Sequence, residues 1–300
     1  MSDVVYLNGS IIDADTASIS ALDAGFLHGV GLFETMRVHH GKAIELSAHI
    51  ARLNASAAAI GLELHLDAAA IDEAIGELLQ ACDLADARLR LTISTGHSAN
   101  EGGERVPTVL ITAAPWMPYP EELYKSGMHV IISELFQNPR SVTCGHKTIS
   151  YLDRMTSLQK ARLARAGESL WFTEVDKQLA EGSISNIFLV SQDGTIRTPP
   201  LMWDKFPQFR LILPGIARGL IVELTRTMGL PMQETPLNIR DVLDAREVFL
   251  TNMIMGVMPV TKVEDRVIGS GKPGELSTLL RSRLNAILEQ TNEPKTQPAK

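Results

Sequence analysis

The sequence predicts an α+β fold made of two domains. Segments of alternating apolar residues, which are typical of half-buried strands, recur in both halves of the chain between longer segments with helical periodicity. Three prolines, Pro115, Pro118 and Pro120, crowd together and predict a linker. The 300 residues are enough for two medium-sized domains. We therefore expect a smaller domain, a linker, a larger domain and a flexible tail at residues 1–118, 119–127, 128–290 and 291–300.

The first half alternates between strand and helix patterns. The strand Val4–Leu7 ends in an Asn8-Gly9 pair, which is typical of a hairpin turn, and Ile11-Ile12 continues on the return strand. Apolar residues at helical spacing predict the helices Leu46–Ile60 and Leu66–Leu84. The other strands are predicted at Leu32–Val38, Arg88–Ser94 and Thr108–Thr112. A Gly-rich loop, residues 96–103, separates the last two, and its composition permits movement, so its use as a lid stays open.

The second half again mixes both kinds of element. Its helices are predicted at Tyr151–Ala166, Gly215–Met228, Ile239–Leu243 and Leu276–Gln290. Its strands are predicted at Met128–Ser133, Ser169–Glu174, Ile187–Ser191, Ile196–Thr198, Met232–Glu234 and Glu247–Thr251. A cleft between two such domains is the natural place for a small ligand.

Composition argues against several classes of function. The formal net charge of −7 speaks against nucleic acid or an anionic membrane as a partner. No run of about 18 apolar residues exists to span a bilayer, and no targeting signal is visible, so we expect a cytoplasmic protein. Cys82 and Cys144 lie far apart, and the histidines lack H-E-x-x-H spacing, so no metal site is expected. A literal G-x-G-x-x-G at residues 269–274 comes too late in the chain for a dinucleotide-binding unit.

A lysine and a glutamate in the second half stand in informative surroundings. Lys147 lies in a short polar turn before a predicted helix, and Glu181 lies at the mouth of a Gly/Ser turn that leads into the strand from Ile187. Three further blocks accompany them: Asp23–Arg37, His49-x-x-Arg52-Leu53 and Pro214–Arg218. Together these motifs resemble the class IV aminotransferases, the fold-type IV pyridoxal 5'-phosphate (PLP) enzymes. The resemblance covers nearly the whole chain, from Tyr6 to about Leu288.

The resemblance implies a cofactor and a set of residues that bind it. It implies a two-domain fold like that of D-amino acid aminotransferase, with PLP in the interdomain cleft, a small-molecule amino substrate and a homodimer. Lys147 would hold PLP through an imine and move a proton, and Glu181 would pair with the pyridine nitrogen. The cofactor phosphate would meet Arg52 and the backbone amides of Ile216 and Ala217 at a helix N-terminus. Ala217 stands where the family often has threonine, so one hydroxyl contact is absent. Asn252 is also expected among the cofactor-binding residues.

The expected substrate-binding residues are Phe33, Thr35 and Arg90. Arg90 lies in the middle of a strand with apolar neighbours. A basic side chain that faced inward there would need an anion, which predicts a contact with a substrate carboxylate. Alternation alone leaves open the alternative that Arg90 points outward as a surface charge.

Subfamily motifs favour a lyase over a transaminase. The pattern Asn252-x-x-Met255-x-Val257-x-Pro259-Val260 is similar to that of the aminodeoxychorismate lyases within the family, whereas the transaminases usually carry hydroxyl side chains where Met253 and Ile254 stand. The expected activity is therefore conversion of 4-amino-4-deoxychorismate into 4-aminobenzoate and pyruvate, a step of folate biosynthesis. The alternative is a branched-chain or D-amino acid transaminase that uses 2-oxoglutarate. A binding protein without activity would be expected to have lost the lysine or the glutamate, and both are present.

Overall fold

The computed structural model describes residues 3–98 and 105–290. Up to residue 115, the elements in chain order are β1 (Val4–Leu7), β2 (Ser10–Asp13), α1 (Ala24–His28), β3 (Gly31–His39), β4 (Lys42–Ala43), α2 (Leu46–Ala59), α3 (Ala68–Ala81), β5 (Ala87–His97) and β6 (Val106–Pro115). Among the described residues, these strands form one antiparallel sheet in the order β2-β1-β6-β5-β3-β4.

The first sheet buries one face against α2 and α3. Its apolar side chains, such as Met36, Leu89 and Leu91, pack with Leu53 and Leu78 of the two helices in one core. Because successive strand residues point to opposite faces, the residues between these core positions lie on the other face of the sheet. That second face lines the site described below.

The rest of the chain builds a second, mixed sheet. Its elements are α4 (Glu121–Ser126), β7 (Met128–Ile132), α5 (Leu152–Leu163), β8 (Glu168–Phe172), β9 (Leu179–Gly182), β10 (Asn186–Val190), β11 (Ile196–Thr198), α6 (Ile216–Thr227), β12 (Met232–Glu234), α7 (Ile239–Leu243), β13 (Glu247–Asn252), β14 (Gly256–Val263), β15 (Arg266–Val267) and α8 (Glu275–Gln290). Within the described ranges the strand order is β12-β11-β10-β13-β14-β7-β8-β9, with β15 beside β14. One core lies between α6, α8 and the sheet, where Ile221 and Leu284 pack on Phe188 and Phe249.

The segment expected to be a linker contains a helix. Helix α4 packs on β14, where the Tyr124 hydroxyl donates to the carbonyl of Met255 at 2.8 Å. Glu121 pairs with Arg281 of α8 at 2.6 Å. The last of the crowded prolines, Pro120, is the N-cap residue of this helix. The prolines therefore mark the start of helix α4. The division into domains stays a prediction.

Most predicted elements are confirmed with ends shifted by a few residues; several short elements and the eight-residue strand β14 were missed. The predicted helix Leu66–Leu84 spans Ala68–Ala81, and Tyr151–Ala166 spans Leu152–Leu163. Missed elements include α1, which is too short to show a helical period, and β9, which carries Glu181. Most of the Gly-rich loop and the whole predicted tail, residues 291–300, lie outside the described residues. Among the described helices, none is long and apolar enough to cross a membrane.

The turn that carries Lys147 connects the two sheets. The amide of Phe33 in β3 donates to the carbonyl of Lys147 at 2.8 Å, and Leu32 and Thr148 form a β-bridge. On its other side, this turn leads into α5, which packs on β8 of the second sheet. Lys147 therefore stands where the two sheets meet.

Candidate active site

One cavity of about 420 Å³ is lined by every residue that the sequence leads us to expect as a cofactor or substrate contact. Its lining includes the expected cofactor residues Lys147, Glu181, Arg52, Ile216, Ala217 and Asn252, and the expected substrate residues Phe33, Thr35 and Arg90. Apart from Lys147, which lies in the turn before α5, these residues come from β3, α2 and β5 of the first half and from β9, α6 and β13 of the second. The fold thus brings together groups that are separated by up to 219 residues in the sequence, from Phe33 to Asn252.

Lys147 is half-buried in this cavity beside aromatic rings. Its Nζ lies 4.2 Å from the ring centroid of Phe33 and 5.7 Å from that of Tyr151. Burial lowers the pKa of the amine to about 8; the charges of Arg52 and Arg90 act in the same direction, while those of Glu34 and Glu181 oppose them. An amine with this pKa is partly neutral near neutral pH, so it can act as a nucleophile and as a base.

Glu181 is held in a fixed orientation by three other groups. Its Oε1 accepts a hydrogen bond of 2.7 Å from Arg154. Its Oε2 accepts from the amide of Leu213 at 3.0 Å and from the side chain of Asn186 at 3.3 Å. Burial raises the pKa of Glu181, and the positive charge of Arg154 limits that rise. The result is a buried carboxylate whose position is determined by hydrogen bonds at both oxygens.

Arg52, another lining residue, is held by a buried carboxylate. Glu34 of β3 accepts hydrogen bonds from Nε and Nη2 of Arg52, and it lies 2.7 Å from Nδ1 of His49. Burial alone would raise the pKa of Glu34, but Arg52 and His49 hold it at about 2, so the group is a carboxylate. The Nη1 of Arg52 donates to the carbonyl of Pro214 at 3.1 Å. Among the described residues, two of the five N–H donors of Arg52 remain for a ligand.

The N-terminus of α6 adds backbone donors next to Arg52. Its N-cap residue is Gly215, which supplies no side chain to the first amides of the helix, and Ile216 and Ala217 follow in the lining of the cavity. A Cβ at Gly215 would overlap the side chain of Asn186, so only glycine fits this approach. Free amides and the helix dipole make such an end a site for an anion.

The sequence left open whether the side chain of Arg90 faces a site or only solvent, and the structure places it at the cavity. Its side chain is exposed, but it lines the cavity and its guanidinium stacks on the ring of Phe33 at 3.8 Å. The residue directly opposite on β3 is Thr35, which also lines the cavity. Phe33 in turn packs edge-on against Tyr151, with ring centroids 5.2 Å apart. The three expected substrate residues therefore form one wall next to Lys147.

Asn252 lines the cavity, but its hydrogen bonds serve the protein. Its Oδ1 accepts from the amides of Ile254 and Met255 at 2.9 and 2.8 Å, and its Nδ2 donates to the carbonyl of Ile184 at 3.3 Å. The side chain therefore closes the turn that carries Met253 and Ile254 along the cavity wall. Its expected role as a cofactor ligand stays a prediction.

These groups fit PLP. One cavity holds the amine of Lys147 and the buried carboxyl group of Glu181. It also holds the donors of Arg52 and of the N-terminus of α6, which together suit a phosphate. Three buried polar atoms, Nε2 of His49, Nδ1 of His146 and Oγ1 of Thr251, have no partner among the described residues, and all three residues line the cavity. Buried polar atoms normally have partners, so these three are available to a polar ligand.

Sequence reasoning gave no role to several residues that organise this site. Arg154, Glu34 and Asn186 hold the expected groups in place, and Tyr151 packs on Phe33. Tyr151 and Arg154 lie three residues apart at the start of the predicted helix, which places them on one helix face, so this spacing could have grouped these two. Glu34 and Asn186 come from strands that contact the site only through the tertiary fold.

The comparisons with known proteins agree with this geometry. Residues 31–263 match the family model described as amino-transferase class IV. A putative branched-chain-amino-acid aminotransferase of Methanocaldococcus jannaschii is 30% identical over 94% of this chain and 96% of its own length. The D-alanine aminotransferase of Bacillus licheniformis is 30% identical, with 96% and 98% covered. The aminodeoxychorismate lyase of Bacillus subtilis is also 30% identical, with 93% and 92% covered.

Solved structures show the same fold. The branched-chain amino acid aminotransferase of T.th., determined with pyridoxamine 5'-phosphate, superimposes with a TM-score of 0.87 at 24% identity, covering 98% of this chain and 96% of that one. The 4-amino-4-deoxychorismate lyase from Pseudomonas aeruginosa superimposes with a TM-score of 0.78 at 26% identity, covering 95% and 99%.

Proposed function

The chain belongs to the class IV aminotransferases, with their α+β fold-type IV architecture and PLP as cofactor, and on that premise we propose that it is a 4-amino-4-deoxychorismate lyase. Its reaction would divide 4-amino-4-deoxychorismate into 4-aminobenzoate and pyruvate. The family also contains transaminases, and relatives of both kinds are similar to this chain to the same degree. The choice between them therefore rests on the site itself.

The turn closed by Asn252 carries the proposal. An α-amino acid has its carboxylate on the carbon that bears the amine, so a transaminase needs anion donors close to the reacting amine. The amides of Ile254 and Met255 already donate to Asn252, and the side chains next to them, Met253 and Ile254, are apolar. In aminodeoxychorismate, no carboxylate is attached to the carbon that bears the amine. The side chains of Met253 and Ile254 form an apolar wall, and the amides of Ile254 and Met255 are already engaged by Asn252; such a wall suits the ring of this substrate.

The chemistry divides between the cofactor and the protein. When bound, PLP supplies an aldehyde for the substrate amine and a ring that accepts electrons. We assign Lys147 to hold the cofactor, Glu181 to the pyridine nitrogen, and Arg52 with the amides of Ile216 and Ala217 to the phosphate. Arg90, which like Lys147 contacts the ring of Phe33, is assigned to a substrate carboxylate.

Lys147 would also move the proton that the reaction requires. Its amine, with a pKa of about 8, can take the proton from the substrate ring carbon that bears the amine. The bond between the ring and the enolpyruvyl oxygen then breaks, and the ring becomes aromatic. Lys147 returns the proton to the methylene carbon of the leaving enolpyruvate, which becomes pyruvate. All substrate atoms appear in the two products, so no second reactant is consumed.

The test compares two reactions of the same PLP-loaded protein. One is supplied with enzymatically generated aminodeoxychorismate and followed for 4-aminobenzoate and pyruvate; the other contains L-leucine, L-valine or D-alanine with 2-oxoglutarate. Lyase activity without amino acid turnover is expected. Glutamate formation without 4-aminobenzoate would make the protein a transaminase. Lys147→Arg should abolish turnover, whereas Lys160→Arg, on the exposed side of α5, should leave it unchanged.

We also propose that the protein is a homodimer. Leu22, Phe26 and Leu27, on and before α1, expose large apolar side chains, with Phe26 70% exposed. Apolar groups of this size are normally covered by a partner surface. Light scattering of the purified protein should give twice the chain mass of 32.7 kDa, and a monomer mass would contradict the assignment.

A further inference from the structure

Strand β5 presents two arginines on its cavity face. Ala87, Leu89 and Leu91 are buried in the core, while Arg88 and Arg90, between them, are exposed and line the cavity. Because alternate residues of a strand point the same way, the two side chains stand side by side, with their Cα atoms roughly 7 Å apart.

Neither arginine has a carboxylate partner within the described ranges. No ion pair there includes Arg88 or Arg90, and the cross-strand neighbours of Arg90 are Thr35 and Thr112. Arg88 lies opposite Ala114 on one side and another cation, Arg37, on the other. Like charges on neighbouring strand positions are unfavourable, so this face is built to be neutralised by an anion from outside the chain.

The charge of Arg88 is close enough to Arg90 to affect the pKa of Arg90. Burial lowers the pKa of Arg90, and the charge of Arg88 lowers it further. The nearby hydrogen-bond acceptor of Arg90 is the hydroxyl of Thr92 at 3.1 Å, which is neutral and cannot compensate the charge. A cavity wall with two uncompensated guanidinium groups favours a ligand with two negative charges.

The strand register places the two arginines in order from Lys147. Phe33, whose backbone amide donates a hydrogen bond to the carbonyl of Lys147, lies opposite Thr92. Two residues further along the paired strands, Arg90 lies opposite Thr35, and two further still, Arg88 lies opposite Arg37. Arg90 is therefore the nearer cation and Arg88 the more distant one along the same wall.

We propose that Arg88 forms a second anion subsite, so that the cavity selects substrates with two carboxylates, one at Arg90 and one at Arg88. The guanidinium fork matches a carboxylate with two parallel hydrogen bonds, and two forks on one rigid strand fix the orientation of a dicarboxylate. The inference rests on the proposed function in taking Lys147 as the reacting amine. It applies to a dicarboxylate substrate of either a lyase or a transaminase.

Binding of unreactive acids tests the subsite without turnover. Isophthalate and terephthalate hold two carboxylates at two fixed spacings, and benzoate offers one on the same ring. Calorimetry on the PLP-loaded full chain should show that at least one of the two dianions binds about tenfold tighter than benzoate. Arg88→Gln should reduce that ratio to near one and leave benzoate affinity within about twofold, and Arg88→Lys should give an intermediate ratio.

Arg37→Gln is the matched control. It removes the same charge from the residue opposite Arg88, but Arg37 stacks on Trp116 at 4.5 Å and does not belong to the described cavity lining. We expect it to leave the ratio unchanged. The subsite is wrong if neither dianion is preferred, if Arg88→Gln leaves the preference intact, or if Arg37→Gln reduces it equally. Production of 4-aminobenzoate without dianion preference would reject the subsite alone, whereas dianion preference without 4-aminobenzoate would reject the lyase alone.

Discussion

The guanidinium of Arg154 donates a hydrogen bond of 2.7 Å to the Oε1 of Glu181; the carboxylate is buried and the arginine is half-buried. The same guanidinium donates to the carbonyl of Gly182 at 2.7 Å and to Gln137 at 2.7 Å, and it stacks on Trp171 at 4.5 Å. Arg154 therefore links the side chain of Glu181 to the backbone of the turn that begins at Gly182. Burial raises the pKa of the carboxyl group assigned to the cofactor ring, and the positive charge of Arg154 behind it limits that rise.

Arg154→Gln should destabilise the protein and weaken its hold on the cofactor. Removing the cation leaves the buried charge of Glu181 uncompensated, which lowers the free energy of unfolding by about 3 kcal/mol. PLP affinity should fall as well, because Glu181 loses its position. Urea denaturation of the apoprotein and PLP titration measure the two effects, and Arg154→Lys should recover part of both. The exposed pair Arg226–Glu223 provides the control, since Arg226→Gln should leave stability nearly unchanged.

Arg52→Gln should separate binding of the cofactor phosphate from stability. If Arg52 contacts the phosphate, the variant loses about tenfold or more in affinity for PLP and little in affinity for pyridoxal, which lacks that group. The variant also leaves Glu34 buried without its cation, so it should be less stable. Adding Glu34→Gln should recover stability but leave the weak PLP affinity. Equal losses for PLP and pyridoxal would show that Arg52 acts only through the structure.

The amine of Lys147 should react at unusually low pH. With a pKa of about 8 instead of 10.5, its neutral, nucleophilic form predominates above about pH 8. In the apoprotein, acetylation of Lys147 by acetic anhydride should rise with pH and level off above about pH 8, as followed by peptide mass spectrometry. The exposed Lys125 provides the reference for the strength of the reagent. Reactivity of Lys147 that kept rising to about pH 10 would contradict the lowered pKa.

Glu168 should make the apoprotein less stable as the pH rises through the weakly acidic range. Burial raises its pKa from 4.5 to about 7, so between these values the folded state binds more protons than the unfolded state. Stability therefore falls as the pH rises across this window, by about 3 kcal/mol in total for this one group. Glu168→Gln should remove that part of the slope in urea denaturation. An unchanged slope would show that Glu168 titrates normally; Glu223→Gln, at an exposed site, is the control.

Local patterns in the sequence predicted the residues of the site but not the contacts that hold them. Lys147, Glu181 and Arg52 stand in motifs of their own, and the fold brings all three into one cavity. The partner of Glu181 lies 27 residues earlier, on α5, and the pair meets only because α5 packs on β8, the strand that pairs with β9. Such a contact depends on tertiary packing, which no local period encodes.

The orientation of Arg90 is a second feature that local sequence patterns could not predict. Alternation along β5 predicts that Arg88 and Arg90 share a face, but it does not say whether that face meets solvent or a site. The register with β3 decides this, because it places Arg90 opposite Thr35 and next to Phe33. Register depends on the pairing of distant strands, so it had to come from the structure.

Lys147 is expected to be the residue that holds PLP. Reducing the PLP-loaded protein with borohydride makes the bond between cofactor and lysine permanent, and peptide mass spectrometry then locates the attached group. We predict that the phosphopyridoxyl group is found on Lys147 and that Lys147→Arg carries none. The group on any other lysine, or an unlabelled Lys147 in a protein that retains its cofactor, would contradict the account.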